Sequence, residues 1–114
     1  MGSMKIIKTD QTDSGQLIQE TVKVLQEKGM VVYPTETCYG LGVDATNQEA
    51  VDKLLQYKER PEGKAIAIAA VDEKMASQYV CLNETARNVY QHFLPGPLTV
   101  ISRSHGKVAQ GLEA

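Results

Sequence analysis

The chain has 114 residues, a formal net charge of −2 and a charged fraction of 23%. A chain of this length forms one domain at most, and its hydrophobic fraction of 42% excludes a disordered protein. The charge gives no overall support for nucleic-acid binding. No apolar run approaches the roughly 20 residues that span a bilayer, so the sequence predicts no membrane contact and a cytoplasmic location.

The N-terminus carries the pattern of a cloning scar, because Met1, Gly2 and Ser3 precede a second methionine. The fold prediction therefore concerns residues 4–114. Lys5 and Lys8 follow without an apolar segment, which argues against a secretory signal.

The cysteines and histidines give no sign of a metal site. Cys38 and Cys81 lie far apart without a CxxC pattern, which predicts two free, buried thiols and leaves a disulfide as the alternative. His92 and His105 have no partner at metal-ligand spacing. We expect both histidines to be ordinary structural or surface residues.

Helices and strands are predicted to alternate along the chain. Apolar stripes at helical spacing predict helices near residues 14–28, 48–58 and 84–93, with a shorter helix after residue 72. Their expected N-caps are Asp13 or Ser14, Asn47, Asp72 and Asn83. Gly29 is expected to end the first helix in the left-handed conformation.

Short apolar runs predict buried strands at residues 30–33, 65–71 and 98–102, and an edge strand at residues 4–8. Pro34 is expected to end the first of the buried strands. The alternation predicts an α/β fold with a twisted mixed sheet and flanking helices.

The segment from Tyr33 to Gly42, YPTETCYGLG, follows a predicted strand directly. Ligands of open α/β sheets bind at the carboxyl ends of strands, and Gly40 and Gly42 would let a backbone approach a ligand closely. Thr35 and Thr37 offer hydroxyls. A polar turn with two glycines is an equally good interpretation of this spacing. The absence of a GK[ST] sequence excludes an ordinary Walker loop.

Two further segments carry chemical interest. Lys58-Glu59-Arg60-Pro61-Glu62-Gly63-Lys64 places three cations between a helix and a predicted strand, and such a cluster can grip phosphate. The alternative is a solvated charged loop. The corner at residues 94–99, LPGPLT, predicts a structural turn, with Thr99 facing a cleft as the alternative.

Together and in this order, the three segments resemble motifs of the YrdC family. The first is similar to its PT(D/E)TxYGLG stretch, the second to its KxRP element and the third to its PGPxT corner. The resemblance covers nearly all of residues 4–103. It implies a YrdC-like α/β domain that makes threonylcarbamoyl-AMP and pyrophosphate from L-threonine, bicarbonate and ATP, for modification of tRNA position 37.

The resemblance also implies roles for individual residues. Thr35, Thr37 and Tyr39 would bind threonine. Lys58 and Arg60 would be catalytic: they would hold the ATP phosphates and stabilise charge at the α-phosphate, with Lys64 as a further ATP contact. Mg²⁺ would arrive bound to ATP.

The family's SxN element and the arginine-bearing strand before it have no counterpart in residues 4–114, which would then be the N-terminal part of a YrdC-like domain. We therefore expect this chain to lack synthase activity on its own and to self-associate. Ala69 stands where longer members carry a histidine. Downstream tRNA-modification proteins are implied partners.

Two other functions remain open from the sequence. One is an RNA-binding YrdC-like module without synthase activity, which would contact tRNA or RNA weakly. The net charge of −2 and the single phenylalanine count against it, because single-strand binders use basic grooves with aromatic platforms. The other is a carbamoyl-transfer domain of a hydrogenase-maturation protein, whose zinc-finger cysteines this sequence lacks.

Overall fold

The computed structural model describes residues 4–58, 65–96 and 98–113. Within these ranges four helices and four short strands follow one another, which confirms the predicted α/β class. In chain order they are α1 (Ser14–Gln26), β1 (Val31–Pro34), β2 (Tyr39–Gly42), α2 (Gln48–Lys58), α3 (Glu73–Ala76), β3 (Val80–Cys81), α4 (Glu84–Phe93) and β4 (Arg103–Ser104).

The helices begin where their caps predict. The side-chain oxygens of Asp13, Asn47, Asp72 and Asn83 each accept a hydrogen bond from the backbone N–H three residues on, at 3.3, 3.0, 2.8 and 2.8 Å. Each bond satisfies a donor that the first helical turn leaves without a partner. The predicted bounds of α2 and α4 are confirmed.

Helix α1 ends at Gln26, and the left-handed residue that follows is Lys28, with φ 65°. The prediction of Gly29 for this position is wrong. The N–H of Gly29 donates to Val24 O at 2.8 Å and that of Lys28 to Leu25 O at 3.2 Å, as in a Schellman motif. Gly29 is needed for space instead, because a Cβ there would lie 2.6 Å from Val24 Cγ1.

The strands form two separate antiparallel pairs rather than one mixed sheet. Strand β1 pairs with β2 from Val31↔Gly42 to Pro34↔Tyr39, and β3 pairs with β4. The strand predicted at residues 30–33 is confirmed with a shift of one residue. It is not buried, however, since 62% of Val32 is exposed.

Three predicted strands are wrong. Residues 4–8, 65–71 and 98–102 are described and belong to no strand ladder. An apolar run becomes a strand only where a neighbouring backbone completes its hydrogen bonds. In residues 65–71 a bond from Ile66 N–H to Leu112 O, 2.9 Å long, links the run to the rest of the chain.

The core consists of two small apolar clusters. One packs Val51 of α2 against Ala109 and Leu112, and the other joins Ala76, Leu82 and Ala86. The side chain of Gln48 fastens the first cluster, because it donates to Gln110 O at 3.0 Å and accepts from Gln110 N–H at 2.8 Å. Helix α2 is therefore the best-anchored element. Across the described ranges, no helix combines the length and apolar character needed to cross a bilayer.

Candidate functional site

The motif that begins at Tyr33 forms a β-hairpin. Its four-residue connection, residues 35–38, joins Pro34 of β1 to Tyr39 of β2. The N–H of Thr35 donates to Cys38 O at 3.0 Å and so extends the ladder into the turn. Three predicted substrate-binding residues, Thr35, Thr37 and Tyr39, thereby lie on one hairpin.

The hydroxyl of Thr35 is engaged inside this turn. Its Oγ1 donates to Cys38 O and accepts from the N–H groups of Cys38, at 3.2 Å, and Thr37, at 3.4 Å. A hydroxyl has one proton to donate and two lone pairs, so these contacts use its full capacity. In this conformation Thr35 stabilises the turn.

Thr37 and Tyr39 are more available. The hydroxyl of Thr37 lies 3.9 Å from Cys38 Sγ, which is a weak contact that leaves its lone pairs to accept other bonds. Both residues are exposed, Tyr39 by 75%. Thr37 is thus better placed than Thr35 to bond a ligand.

The two glycines of the hairpin make room for an aromatic ring. A Cβ on Gly40 would lie 2.8 Å from Tyr33 Cζ, and one on Gly42 would lie 3.2 Å from Tyr33 Cε1. The left-handed glycines of the described chain are Gly106 and Gly111, so backbone conformation does not demand glycine at positions 40 and 42. Their predicted role in close ligand approach stays a prediction.

The predicted phosphate-binding cations are only partly described. Lys58 is the last residue of α2 and is exposed, whereas Arg60 and Lys64 lie outside the described residues. Within the described ranges no hydrogen bond joins Lys58 to the hairpin. The predicted grouping of the cations with Thr37 therefore stays a prediction.

A hollow of about 530 Å³ lies under the hairpin. Tyr33, Leu41 and Gly42 form one wall, and α1, residues 67–69 and the segment 108–112 contribute the others. Its lining includes none of the described predicted site residues. Among the described residues of the lining the one charged side chain is Asp44, which accepts hydrogen bonds from Thr46 N–H and Oγ1 at 2.9 and 2.6 Å. Among the described residues of the lining, none carries a positive charge that could pair with an anionic nucleotide.

One ion pair joins the chain segment after α1 to helix α2. Lys28 Nζ donates to Glu49 Oε2 at 2.6 Å, and this bond, together with the lysine charge, lowers the pKa of Glu49 below its ordinary value of 4.5. The pair ties the end of α1 to α2. Among the described residues, no three His, Cys, Asp or Glu side chains converge to hold a metal ion.

Both cysteines in the described chain are free and exposed, so their predicted burial is wrong. Cys38 lies in the hairpin turn and Cys81 lies on a two-residue strand, and neither place offers cover. His92 and His105 are exposed, as expected. Thr99 is also exposed and lines a second, apolar hollow beside Val89 and Phe93.

The sequence prediction missed strand β2 and the role of Tyr33. A signal was available, because Tyr39 and Leu41 alternate with the two glycines at the period of a strand. The glycines favoured a turn instead. The contact of the Tyr33 ring with Gly40 and Gly42 can be recognised only once β2 is paired with β1.

The sequence profile of the Sua5/YciO/YrdC family, described as "Telomere recombination", matches residues 23–114. This match covers most of the chain. The chain belongs to this family. The family resemblance that was inferred from the three motifs is thereby confirmed.

Several members of the family resemble the chain over part of their length. The threonylcarbamoyl-AMP synthase of Vibrio vulnificus is 35% identical over 72% of this chain and 46% of its own length. That of Yersinia pestis is 29% identical over 90% of this chain and 56% of its own length. The chain spans about half the length of the curated relatives it matches.

Two solved structures share the fold. P. abyssi Sua5 superposes with a TM-score of 0.82 at 26% identity, over 90% of this chain and 32% of that protein. E. coli YciO superposes with a TM-score of 0.77 at 24% identity, over 89% of this chain and 49% of that protein. The second likeness concerns the fold alone.

Proposed function

We propose that this chain forms part of a threonylcarbamoyl-AMP synthase, which makes threonylcarbamoyl-AMP and pyrophosphate from L-threonine, bicarbonate and ATP for tRNA modification. The observation that carries the proposal is the family match over residues 23–114, supported by relatives that bear this name. The exposed Thr37 hydroxyl on a hydrogen-bonded turn agrees with a small polar substrate.

In the proposed reaction the side chains position substrates and stabilise charge. Thr37 and Tyr39 bind threonine, and Thr35 maintains the turn that presents them. Lys58 and Arg60 hold the ATP phosphates, with Lys64 as a further contact, and stabilise negative charge at the α-phosphate while pyrophosphate leaves. Phosphoryl transfer of this kind depends on positioning and positive charge more than on a protein nucleophile. Mg²⁺ enters with the nucleotide as part of the substrate.

The charges support this division of roles. Lys58 ends α2 and is exposed, so its positive charge is accessible to an anionic phosphate. Threonine is zwitterionic and ATP is anionic, so both need polar or charged partners in the protein.

The test combines binding and turnover. Calorimetry measures L-threonine binding to this chain, and pyrophosphate release from threonine, bicarbonate and ATP is measured in a longer chain that contains the whole domain. Thr37→Val, which removes the hydroxyl at nearly constant shape, should lower kcat/KM for threonine by about tenfold or more, the effect of losing one polar contact. Thr37→Ser is the matched control.

The proposal would be wrong if the longer chain released no pyrophosphate from the three substrates. If the valine and serine variants were equally active, only the proposed contact between the Thr37 hydroxyl and threonine would be wrong. ATP turnover that did not depend on threonine would indicate a different reaction.

A further inference from the structure

We infer that Tyr33 is a positioning residue for the substrate-binding turn: its ring, seated on Gly40 and Gly42, holds β1 and β2 in the geometry that presents Thr37. The inference rests on the proposed function for its link to threonine. Its structural part depends only on contacts within the hairpin.

The contact follows from the strand register. Tyr33 and Gly40 are direct partners in the β1–β2 ladder, and Val31 and Gly42 are the next pair on the same face. Because side chains of direct partners lie on the same face of a sheet, the tyrosine ring can extend along β2 over both glycines. The measured separations fit this position, since a Cβ on Gly40 would lie 3.0 Å from both Cε2 and Oη of Tyr33.

The glycines weaken the hairpin unless something compensates. A glycine in a strand adds chain entropy and gives no side chain for cross-strand packing. An aromatic ring over the glycine backbone supplies that packing. Two glycines in a four-residue strand therefore make the geometry of β2 depend strongly on Tyr33.

The ring acts on the site through the strands. Tyr33 lies one residue before Pro34, and Gly40 lies one residue after Tyr39, so the contact sits directly below the turn at residues 35–38. Val32 and Tyr39, on the opposite face, are exposed by 62% and 75%. Leu41 on that face is half-buried, and on the other face the Tyr33 ring packs over the two glycines of β2.

The first experiment is a double-mutant cycle on this chain with Tyr33→Ala and Gly40→Ala. Gly40→Ala should displace the ring, because the new methyl group needs the same space. It should have a much smaller effect in the Tyr33→Ala background, where that space is open, so the two effects should be strongly non-additive. Gly42→Ala, with its wider separation of 3.2 Å, should act in the same direction and more weakly.

The readouts are spectroscopic and functional. Ring-current shifts of the Gly40 and Gly42 α-protons report the seat of the ring, and amide exchange at Thr37 and Cys38 reports the turn. Tyr33→Phe should retain both signals, whereas Tyr33→Leu should lose the shifts and accelerate exchange. Threonine affinity should fall by about tenfold or more in Tyr33→Leu, the order expected for a misplaced contact, and should recover in Tyr33→Phe.

The inference would be wrong if the effects of Tyr33→Ala and Gly40→Ala were additive. It would also be wrong if the Thr37 and Cys38 amides exchanged in Tyr33→Leu at the rate of the parent chain. If exchange accelerated but threonine affinity did not change, Tyr33 would be a structural residue without a positioning role. If the parent chain bound no threonine while the longer chain released no pyrophosphate, the proposed function would fail instead, and the exchange data would still decide whether Tyr33 orders the turn.

Discussion

Helix α2 and the β1–β2 hairpin carry different parts of the predicted site and are held in different ways. In α2, Ala50 and Val51 are fully buried and Leu54 is 3% exposed. In the hairpin, Val32 and Tyr39 are mostly exposed, and the turn is held by hydrogen bonds of Thr35 and by the strands on which the Tyr33 ring packs. The comparison shows that the cation at the end of α2 is supported by core packing, whereas the threonines are supported by local contacts.

The largest expected effect concerns the buried face of α2, to which Leu54 belongs. Leu54→Ala should lower the free energy of unfolding by about 2–5 kcal/mol, as for other buried leucines. Ile18→Ala on α1, where the side chain is 62% exposed, is the control and should change it by less than about 0.5 kcal/mol. Urea denaturation measures both. If Leu54→Ala and Ile18→Ala lowered the free energy of unfolding equally, α2 would not be more strongly held by packing than the exposed parts of the chain.

The second prediction addresses the charge at the end of α2. In a longer chain that contains the whole domain, Lys58→Ala or Arg60→Ala should cost about 2–4 kcal/mol of transition-state stabilisation, as when a preorganised charge donor is lost. Lys53→Ala, an exposed lysine on the same helix, is the control. The assay is pyrophosphate release. Near wild-type rates in both variants would exclude these cations from the mechanism.

The third prediction concerns the uncovered hairpin. Its sheet has two strands in the described chain, so each strand offers an outer edge to a second copy. With a net charge of only −2 there is little repulsion, and we expect self-association. Val32→Lys should raise the dissociation constant by about tenfold, equivalent to about 1.4 kcal/mol. Light scattering over a concentration series measures it, and a monomer at every concentration would contradict it.

The smallest effect belongs to the ion pair between the two helices. Because Lys28 lowers the pKa of Glu49, its contribution to stability is fully present above pH 4.5 and is lost as the pH falls through the lowered pKa. As the pH falls through that acid range, the melting temperature of Glu49→Gln should therefore fall less than that of the parent chain. Added salt should make the two pH profiles more alike, since the ion pair is exposed. Identical pH profiles would show that the pair contributes nothing.

The features that the sequence predicted well depend on local chemistry. Asn47 and Asn83 cap their helices because a side-chain oxygen reaches an N–H only three residues away, and this can be inferred without knowing the fold. The family motifs are local in the same sense. Even the exposure of Thr37 agrees with its predicted place in a polar turn.

The features that it missed depend on distant partners. Residues 65–71 have the composition of a strand, but no neighbouring strand completes a ladder with them in the described chain. Gly40 gives no sequence sign of the ring above it, because that contact requires the pairing of β1 with β2. Arg60 and Lys64 lie outside the described residues, so their place relative to Thr37 rests on the motif alone.

The exposed thiol of Cys38 is a site at which the turn can be labelled selectively. It lies beside Thr37, at 3.9 Å from its hydroxyl, and Cys81 is the other free thiol of the described chain. In a Cys81→Ser background, a maleimide dye would attach to the turn alone. Fluorescence from that single label could then follow substrate arrival in real time. The same exposure means that the parent protein has to be stored under reducing conditions, because oxidation would add bulk at the proposed threonine contact.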